Sequence, residues 1–282
     1  MRLTTLVDTE TLSRHVGDPR WIVVDCRFVL SNPEAGRRAY AAGHVPGARY
    51  AHLDEDLSSP LTPASGRHPL PFPNVLAEKL GRWGIDKTSQ VVVYDDTFGA
   101  MAARLWWLLR WLGHETVALL DGGYPKWQRE GRPATPELPV IQAAQLHPTI
   151  NNALWVGADQ VQEMLRAREG LLADARAEER FRGDIEPLDK VAGHVPGAIN
   201  MPYEDNLDFS GEFMSDEALR EHYLAALSGV TPDKVVQMCG SGVTACHNIL
   251  AMEHAGLLGA KLYAGSWSEW IADPNRPVTK GG

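Results

Sequence analysis

Several features are scarce or missing in this chain of 282 residues. It has three cysteines, Cys26, Cys239 and Cys246, and no CxxC pair, which argues against a disulfide scaffold or a zinc knuckle and indicates a reducing compartment. No uncharged apolar run approaches about 18 residues, and the N-terminus has no apolar core typical of a signal peptide. Acidic residues outnumber lysine and arginine by 36 to 27, so no basic surface for nucleic acid is indicated. We expect a soluble cytoplasmic protein without nucleic-acid or membrane partners.

A repeat is the first positive feature. The hexapeptide GHVPGA occurs at residues 43–48 and again at 193–198. Further matches keep the same order, since VVVYD ending at Asp95 corresponds to VVQMC ending at Cys239. A repeat of this length is a domain and not a solenoid unit. We therefore predict two tandem copies of one domain, residues 1–138 and 153–282, joined by a linker at 139–152.

The pattern within each copy predicts an α/β fold. Short valine-rich runs such as 21–25 and 91–94 alternate with helix-like segments such as 100–112. Such alternation is typical of a mostly parallel sheet flanked by helices on both faces. The histidines of GHVPGA, His44 and His194, occupy matching positions in the two copies. A structural hydrogen bond explains that correspondence better than catalysis does.

The stretch around Cys239 indicates chemistry. A short apolar run ends at this cysteine, and Gly240 and Gly242 follow it before a helix-like segment. A turn of this kind directs backbone N–H groups and the positive end of a helix dipole at the thiol, which favours the thiolate. An isolated cysteine is more often buried and inert. Two glycines beside it, however, indicate a loop that wraps its backbone around an anion, so we predict that Cys239 is a nucleophile.

The repeat also predicts an inactive half. Asp95 stands in the first copy where Cys239 stands in the second, so only the second copy can perform thiol chemistry. The interval after GHVPGA is longer in the first copy, 49–90 against 199–234, and it contains LDEDL and SGRHPLPFP. We expect this enlarged loop to complete the pocket of the other copy.

These motifs together resemble a known family. CGSGVTAC, with DARAEERFRG upstream, the doubled GHVPGA and the C-terminal GSWSEW, is similar to the two-domain rhodanese-type sulfurtransferases over nearly the whole chain. The loop CGSGVT looks like that of family members that use 3-mercaptopyruvate, whereas members that use thiosulfate generally carry cations after the cysteine. The charge of the loop residues agrees with this subdivision. Thiosulfate is a dianion and would be held best by fixed cations, whereas Gly240 and Ser241 are neutral.

The resemblance implies a reaction without metal or organic cofactor. Sulfur would pass from 3-mercaptopyruvate to Cys239 as a persulfide, with release of pyruvate. An acceptor such as cyanide, a small thiol or a thioredoxin-like protein would then take the sulfur.

Cationic residues are assigned by the same resemblance. Arg180 in ERFRG matches the family's carboxylate-binding arginine. The second arginine that many mercaptopyruvate enzymes carry a few residues later is missing here, which leaves Arg182 or Lys190 as a substitute. Arg176 has an equivalent, Arg27, in the first copy, so a structural ion pair is the favoured interpretation for it.

The family's proton relay corresponds to Asp54, His68 and Ser241. A serine hydroxyl near the substrate carbonyl can pass a proton when histidine lies behind it and a carboxylate orients the imidazole. His68 by itself would be an ordinary loop histidine, but its place in the enlarged loop favours a functional role. The loop residues expected to bind substrate are Gly240, Gly242, Val243 and Thr244.

Two other functions remain open from sequence, and a third, the cysteine phosphatase, is disfavoured. The nearest is a thiosulfate:cyanide sulfurtransferase, which would share the fold and the persulfide. A cysteine phosphatase needs an arginine at the end of its loop, and none occurs between Cys239 and His254. A non-enzymatic binding module would not need a reactive thiol.

Overall fold

The computed structural model describes residues 2–281 and divides into two compact units. The first unit comprises residues up to 59, 70–151 and 209–212, and the second comprises 60–69, 152–208 and the chain from 213 onward. A short segment from the first half of the sequence therefore belongs to the second unit. The domain limits inferred from the repeat remain a prediction.

The first unit contains a five-stranded parallel sheet flanked by helices. Its strands are β1 (Leu6–Val7), β2 (Trp21–Asp25), β3 (Arg49–Tyr50), β4 (Gln90–Tyr94) and β5 (Val117–Leu120). Its helices are α1 (Thr9–His15), α2 (Glu34–Ala42), α3 (Leu53–Asp56), α4 (Pro73–Arg82), α5 (Ala102–Trp111) and α6 (Gly123–Arg129). The strand order across the sheet is β1-β5-β4-β2-β3.

The second unit repeats this arrangement. Its strands are β6 (Trp155–Val156), β7 (Leu171–Asp174), β8 (Ile199–Asn200), β9 (Val235–Met238) and β10 (Lys261–Tyr263), in the sheet order β6-β10-β9-β7-β8. Its helices are α7 (Ala158–Ala167), α8 (Glu178–Arg182), α9 (Asp216–Leu227), α10 (Ala245–His254) and α11 (Ser266–Trp270). Short 3₁₀ turns lie at Asn152–Leu154, Tyr203–Asn206 and Pro232–Lys234. The predicted α/β fold with two similar domains is confirmed.

The central strands explain where the candidate site lies. Every residue of β4 and β9 is buried, and each strand has a parallel neighbour on both sides. Continuous valine-rich runs suit such strands, because both of their faces are covered. Asp95 follows β4 and Cys239 follows β9, so both residues leave a central strand at its carboxyl end, where ligands bind in open α/β sheets.

The same ion pair supports both sheets. Nη2 of Arg27 lies 2.6 Å from Oδ2 of Asp25, and Nη2 of Arg176 lies 2.6 Å from Oδ2 of Asp174. Each Nη2 also donates to the carbonyl of the glycine that opens GHVPGA, Gly43 at 2.7 Å and Gly193 at 2.8 Å. Arg176 is therefore a structural residue, as expected.

The repeated histidines have structural partners too. Nδ1 of His44 lies 2.8 Å from the Tyr40 carbonyl oxygen, and Nδ1 of His194 lies 2.8 Å from that of Phe181. Their backbones form isolated antiparallel bridges, to Thr135 and Thr279 respectively. None of the helices within residues 2–281 has the length and apolar character needed to span a membrane.

Candidate active site

The Cys239 loop is clamped by the start of α11. The Cys239 N–H donates to Oγ of Ser266 at 3.1 Å, and the Cys239 carbonyl accepts from the Trp267 N–H at 3.0 Å. The next carbonyl, that of Gly240, accepts from the Ser268 N–H at 3.0 Å. These bonds fix the backbone on both sides of the cysteine, and the fixed backbone in turn orients the Cα–Cβ bond of Cys239.

Gly242 holds the sulfur. Its N–H donates to Sγ of Cys239 at 3.2 Å, and its φ of 75° lies in the left-handed region. A Cβ at this position would lie 2.3 Å from the Ala264 carbonyl oxygen, so no other residue fits without moving backbone. Val243 and Thr244 directly precede α10, and their carbonyls accept the N–H groups of Cys246 and His247, three residues further along the chain, at 3.1 Å. The helix N-terminus and the Gly242 N–H together favour negative charge at the sulfur.

His68 and Ser241 are brought together. Nδ1 of His68 lies 2.7 Å from Oγ of Ser241, and both side chains are buried. The segment 60–69 is part of the second unit, and the Arg67 N–H fixes it by donating to Oγ of Ser268 at 3.0 Å. Asp54, the remaining member of the expected relay, lies in α3 of the first unit, where its N–H donates to Nδ1 of His52 at 3.2 Å. Its part in the relay remains a prediction.

Two guanidinium groups lie over the loop at Gly240. A Cβ on Gly240 would be 2.7 Å from Nη2 of Arg67 and 3.7 Å from both Nη atoms of Arg180. The Nε–H of Arg180 is buried and has no hydrogen-bond acceptor among the described residues. A buried donor without an acceptor is costly, so this N–H favours binding of an anion.

Two buried carboxylates partner these arginines. Asp189 is paired with Nη1 of Arg67 and, at 3.3 Å, with Nη2 of Arg180. Glu186 accepts from Nη2 of Arg180 at 2.8 Å and from the backbone N–H groups of Leu188 and Asp189 at 3.0 and 3.1 Å. Burial by itself would raise the pKa of the Glu186 carboxyl, but these N–H donors and Arg180 outweigh it, so the pKa lies below its ordinary value.

The second cation at the loop is one that the sequence analysis missed. Arg182 pairs on the surface with Glu178 and Asp184, and Lys190 is exposed. Arg67 instead lies against Gly240. Its position directly before His68, in the stretch lengthened only in the first copy, was a usable indication in the sequence.

The first unit carries a carboxylate in the equivalent loop. Asp95 is fully buried, and its two oxygens accept four backbone N–H groups at 2.7 to 2.9 Å. The donors are Thr97, Gly99, Met101 and Ala102. Burial raises the pKa of this carboxyl, and the four N–H donors oppose that rise. An internal carboxyl group thus fills the place that an external anion would take, and the catalytic silence of this half remains a prediction.

A cluster in the first unit has the ligand types of a metal site. Glu34, His52 and Glu55 place their ligand atoms within 4.8 Å of one another. Nδ1 of His52, however, already accepts the N–H groups of Asp54 and Glu55, and Nε2 lies 3.9 Å from Oε1 of Glu34. Arg37 already pairs with both carboxylates. The cluster is therefore explained as an ion-pair network.

Comparison with known proteins assigns the class. The model of the rhodanese-like domain matches residues 8–130 and 157–273. The chain therefore belongs to the family of proteins with rhodanese-like domains, and it is an enzyme of the sulfurtransferase type.

Particular relatives narrow the comparison. The chain is 46% identical over 283 residues to a probable 3-mercaptopyruvate sulfurtransferase of Pseudomonas aeruginosa, covering 100% of both chains. It is 35% identical to thiosulfate sulfurtransferase of Bos taurus, covering 98% of this chain and 95% of the relative. Among solved structures, SseA of Escherichia coli, a 3-mercaptopyruvate sulfotransferase, matches with a TM-score of 0.79 at 31% identity, covering 94% of this chain and 100% of that one.

Proposed function

We propose that this enzyme transfers the sulfur of 3-mercaptopyruvate, through a persulfide on Cys239, to a thiol or cyanide acceptor and releases pyruvate. The observation that carries the proposal is the position of Arg67 and Arg180 at Gly240, next to the cysteine. They present guanidinium N–H groups where a donor carboxylate would lie while its sulfur meets Cys239. A guanidinium is the side chain best suited to hold a carboxylate by paired hydrogen bonds.

The reaction begins with attack of the Cys239 thiolate on the donor sulfur. A sulfur–sulfur bond forms and the carbon–sulfur bond breaks, and its electron pair moves into the adjacent carbonyl to give the enolate of pyruvate. The Ser241 hydroxyl is the group placed to donate to that carbonyl oxygen, with His68 behind it at 2.7 Å. A donor of this kind contributes on the order of 2–4 kcal/mol when it meets developing negative charge. A proton passed from His68 through the Ser241 hydroxyl to the enolate carbon completes pyruvate.

The persulfide is then held by the same loop until it is discharged. The Gly242 N–H, 3.2 Å from Sγ, and the N-terminus of α10 stabilise an anion at the inner or the outer sulfur. A thiolate acceptor, from a small thiol or a thioredoxin-like protein, attacks the outer sulfur and leaves Cys239 as the thiolate. Cyanide would take the same sulfur as thiocyanate.

The test is the mass of the peptide that contains Cys239. Reduced protein mixed with 3-mercaptopyruvate should gain one sulfur atom on this peptide, and one equivalent of pyruvate should appear in the same step. Cys239→Ser should abolish both. Cys26→Ser is the matched control, since Cys26 is also buried but lies in the first unit, and it should retain both.

The choice of donor is tested by steady-state kinetics. The proposal requires a higher kcat/KM for 3-mercaptopyruvate than for thiosulfate with the same acceptor. A peptide mass unchanged by either donor would contradict the persulfide, and a preference for thiosulfate would contradict only the donor assignment.

A further inference from the structure

We propose that Asp189, together with Glu186, sets the donor specificity of this enzyme by cancelling the charge of its two loop arginines, so that the site accepts a monoanion and disfavours a dianion. The inference rests on the proposed function and concerns the same site. We call Asp189 and Glu186 the acidic pair.

The acidic pair is built into the site. The side chains of Asp189 and Glu186 are only 5% and 4% exposed, whereas those of Arg67 and Arg180 are 27% and 16% exposed. The carboxylates thus lie on the inner side of the guanidinium groups, away from solvent. Buried carboxylates are paired because an isolated buried charge is costly, and here both lie against arginine.

The hydrogen bonds leave one side of each arginine free for substrate. Arg67 uses Nη1 for Asp189 and turns Nη2 to Gly240. Arg180 uses Nη2 for Glu186 and Asp189, and its Nε–H is the buried donor without an acceptor. Nη2 of Arg67 and Nη1 of Arg180, at 2.7 and 3.7 Å from the Cβ position of Gly240, are therefore the groups that would donate to a bound anion while the acidic pair stays in place.

The charges then decide between donors. The charges of Arg67 and Arg180 against those of Asp189 and Glu186 sum to zero. Arg176, whose Nη1 lies 3.5 Å from Glu186, is balanced by Asp174 at 2.6 Å, so the site offers directed hydrogen bonds but little net attraction. 3-Mercaptopyruvate needs its single carboxylate oriented, and directed N–H groups suffice for that. Thiosulfate loses the hydration of two negative charges when it binds. Hydrogen bonds from a site without net positive charge offset that desolvation cost poorly. The dianion is penalised more than the monoanion by each carboxylate nearby.

The perturbation is Asp189→Asn, which keeps the shape and an acceptor oxygen but removes one negative charge. Removing a negative charge about 6 Å from the bound anion, at an effective dielectric constant of about 40, favours each unit of negative charge on that anion by ~1.4 kcal/mol. The affinity for a dianion therefore rises about tenfold more than the affinity for a monoanion. We expect the ratio of kcat/KM for thiosulfate to that for 3-mercaptopyruvate to rise about tenfold. Asp184→Asn, in the same loop but 55% exposed and paired with Arg182, is the control and should change the ratio less than twofold.

A binding measurement separates this inference from the proposed function. Sulfate, an unreactive dianion, and pyruvate, a monoanion, are titrated as protectants of Cys239 against iodoacetamide in wild-type protein and in Asp189→Asn. The inference requires that the variant strengthens protection by sulfate about tenfold more than protection by pyruvate. The inference is overturned if Asp189→Asn strengthens protection by the two anions equally, or if neither anion protects either protein. Equal losses of kcat/KM for both donors in this variant would overturn it as well. These protection constants apply even if 3-mercaptopyruvate yields no persulfide.

Discussion

Replacing each loop glycine by alanine should separate the two tasks of the Cys239 loop. At Gly242 the added Cβ meets the Ala264 carbonyl oxygen at 2.3 Å, and the φ of 75° is one that L-residues rarely adopt. At Gly240 the φ lies outside the left-handed region, and the Cβ meets the far end of the flexible Arg67 side chain at 2.7 Å and that of Arg180 at an ordinary contact distance of 3.7 Å. Gly242→Ala therefore strains backbone, whereas Gly240→Ala displaces a binding group.

The expected magnitudes differ accordingly. The left-handed conformation costs an alanine roughly 1–2 kcal/mol, and relief of the clash with Ala264 costs about the same again. Gly242→Ala should lose about 3 kcal/mol of the free energy of unfolding, which corresponds to roughly 10 °C in the Tm of a unit of this size. Gly240→Ala should lose less than about 1 kcal/mol, but its KM for 3-mercaptopyruvate should rise about tenfold because Arg67 no longer lies over the loop.

Calorimetry and donor kinetics on the two purified variants provide the measurement. Gly242→Ala should lower the Tm of the transition assigned to the second unit and abolish persulfide formation, since the Gly242 N–H then leaves the sulfur. Equal losses of stability in the two variants would refute the reasoning. A Gly240→Ala enzyme with an unchanged KM would show that Arg67 does not bind the donor.

Two further predictions concern stability. Asp95→Ala should destabilise the first unit by about 3–5 kcal/mol, because two buried and two partly buried N–H groups lose their acceptor. Asp96→Ala, at the exposed neighbouring carboxylate, should change the Tm little, and a calorimetric Tm for Asp95→Ala equal to that of wild type would contradict this account. The pKa of Glu186 is lowered from 4.5, so the stability contributed by its ion pair is fully present above pH 4.5 and is lost as the pH falls through the lower pKa of the folded state. Glu186→Gln should remove this part of the acid dependence in urea titrations at stepped pH, and an unchanged acid limb would exclude it.

Much of the fold followed from local pattern. Valine runs covered on both faces can only be inner strands of a parallel sheet, and the doubled GHVPGA marked two copies because each copy needs the same glycine carbonyl for its buried arginine. The conformation of the Cys239 loop was also predictable, since Cys239 follows a buried strand and precedes two glycines and a helix. Local sequence encodes such a loop because its geometry is made by consecutive residues.

The cations were harder to assign because they depend on contacts distant in sequence. Arg67 and Asp189 are far apart along the chain, and nothing in either segment alone indicates that they pair. The expected substitutes, Arg182 and Lys190, are near Arg180 in sequence. Arg182, however, pairs with Glu178 and Asp184, and Lys190 is exposed, whereas the atoms nearest the Cβ position of Gly240 belong to Arg67 and Arg180.

The sequence by itself determined the repeat and the α/β class, and it predicted the cysteine loop and the aspartate in the equivalent loop, because each is written in a short stretch whose backbone preferences are local. Only the tertiary structure decided which arginines lie over Gly240, that a segment of the first half brings His68 to Ser241, and that two buried carboxylates pair with those arginines. Those features arise when segments distant in sequence pack together. The packing depends on complementary shape and charge between two segments, and neither segment alone contains that information.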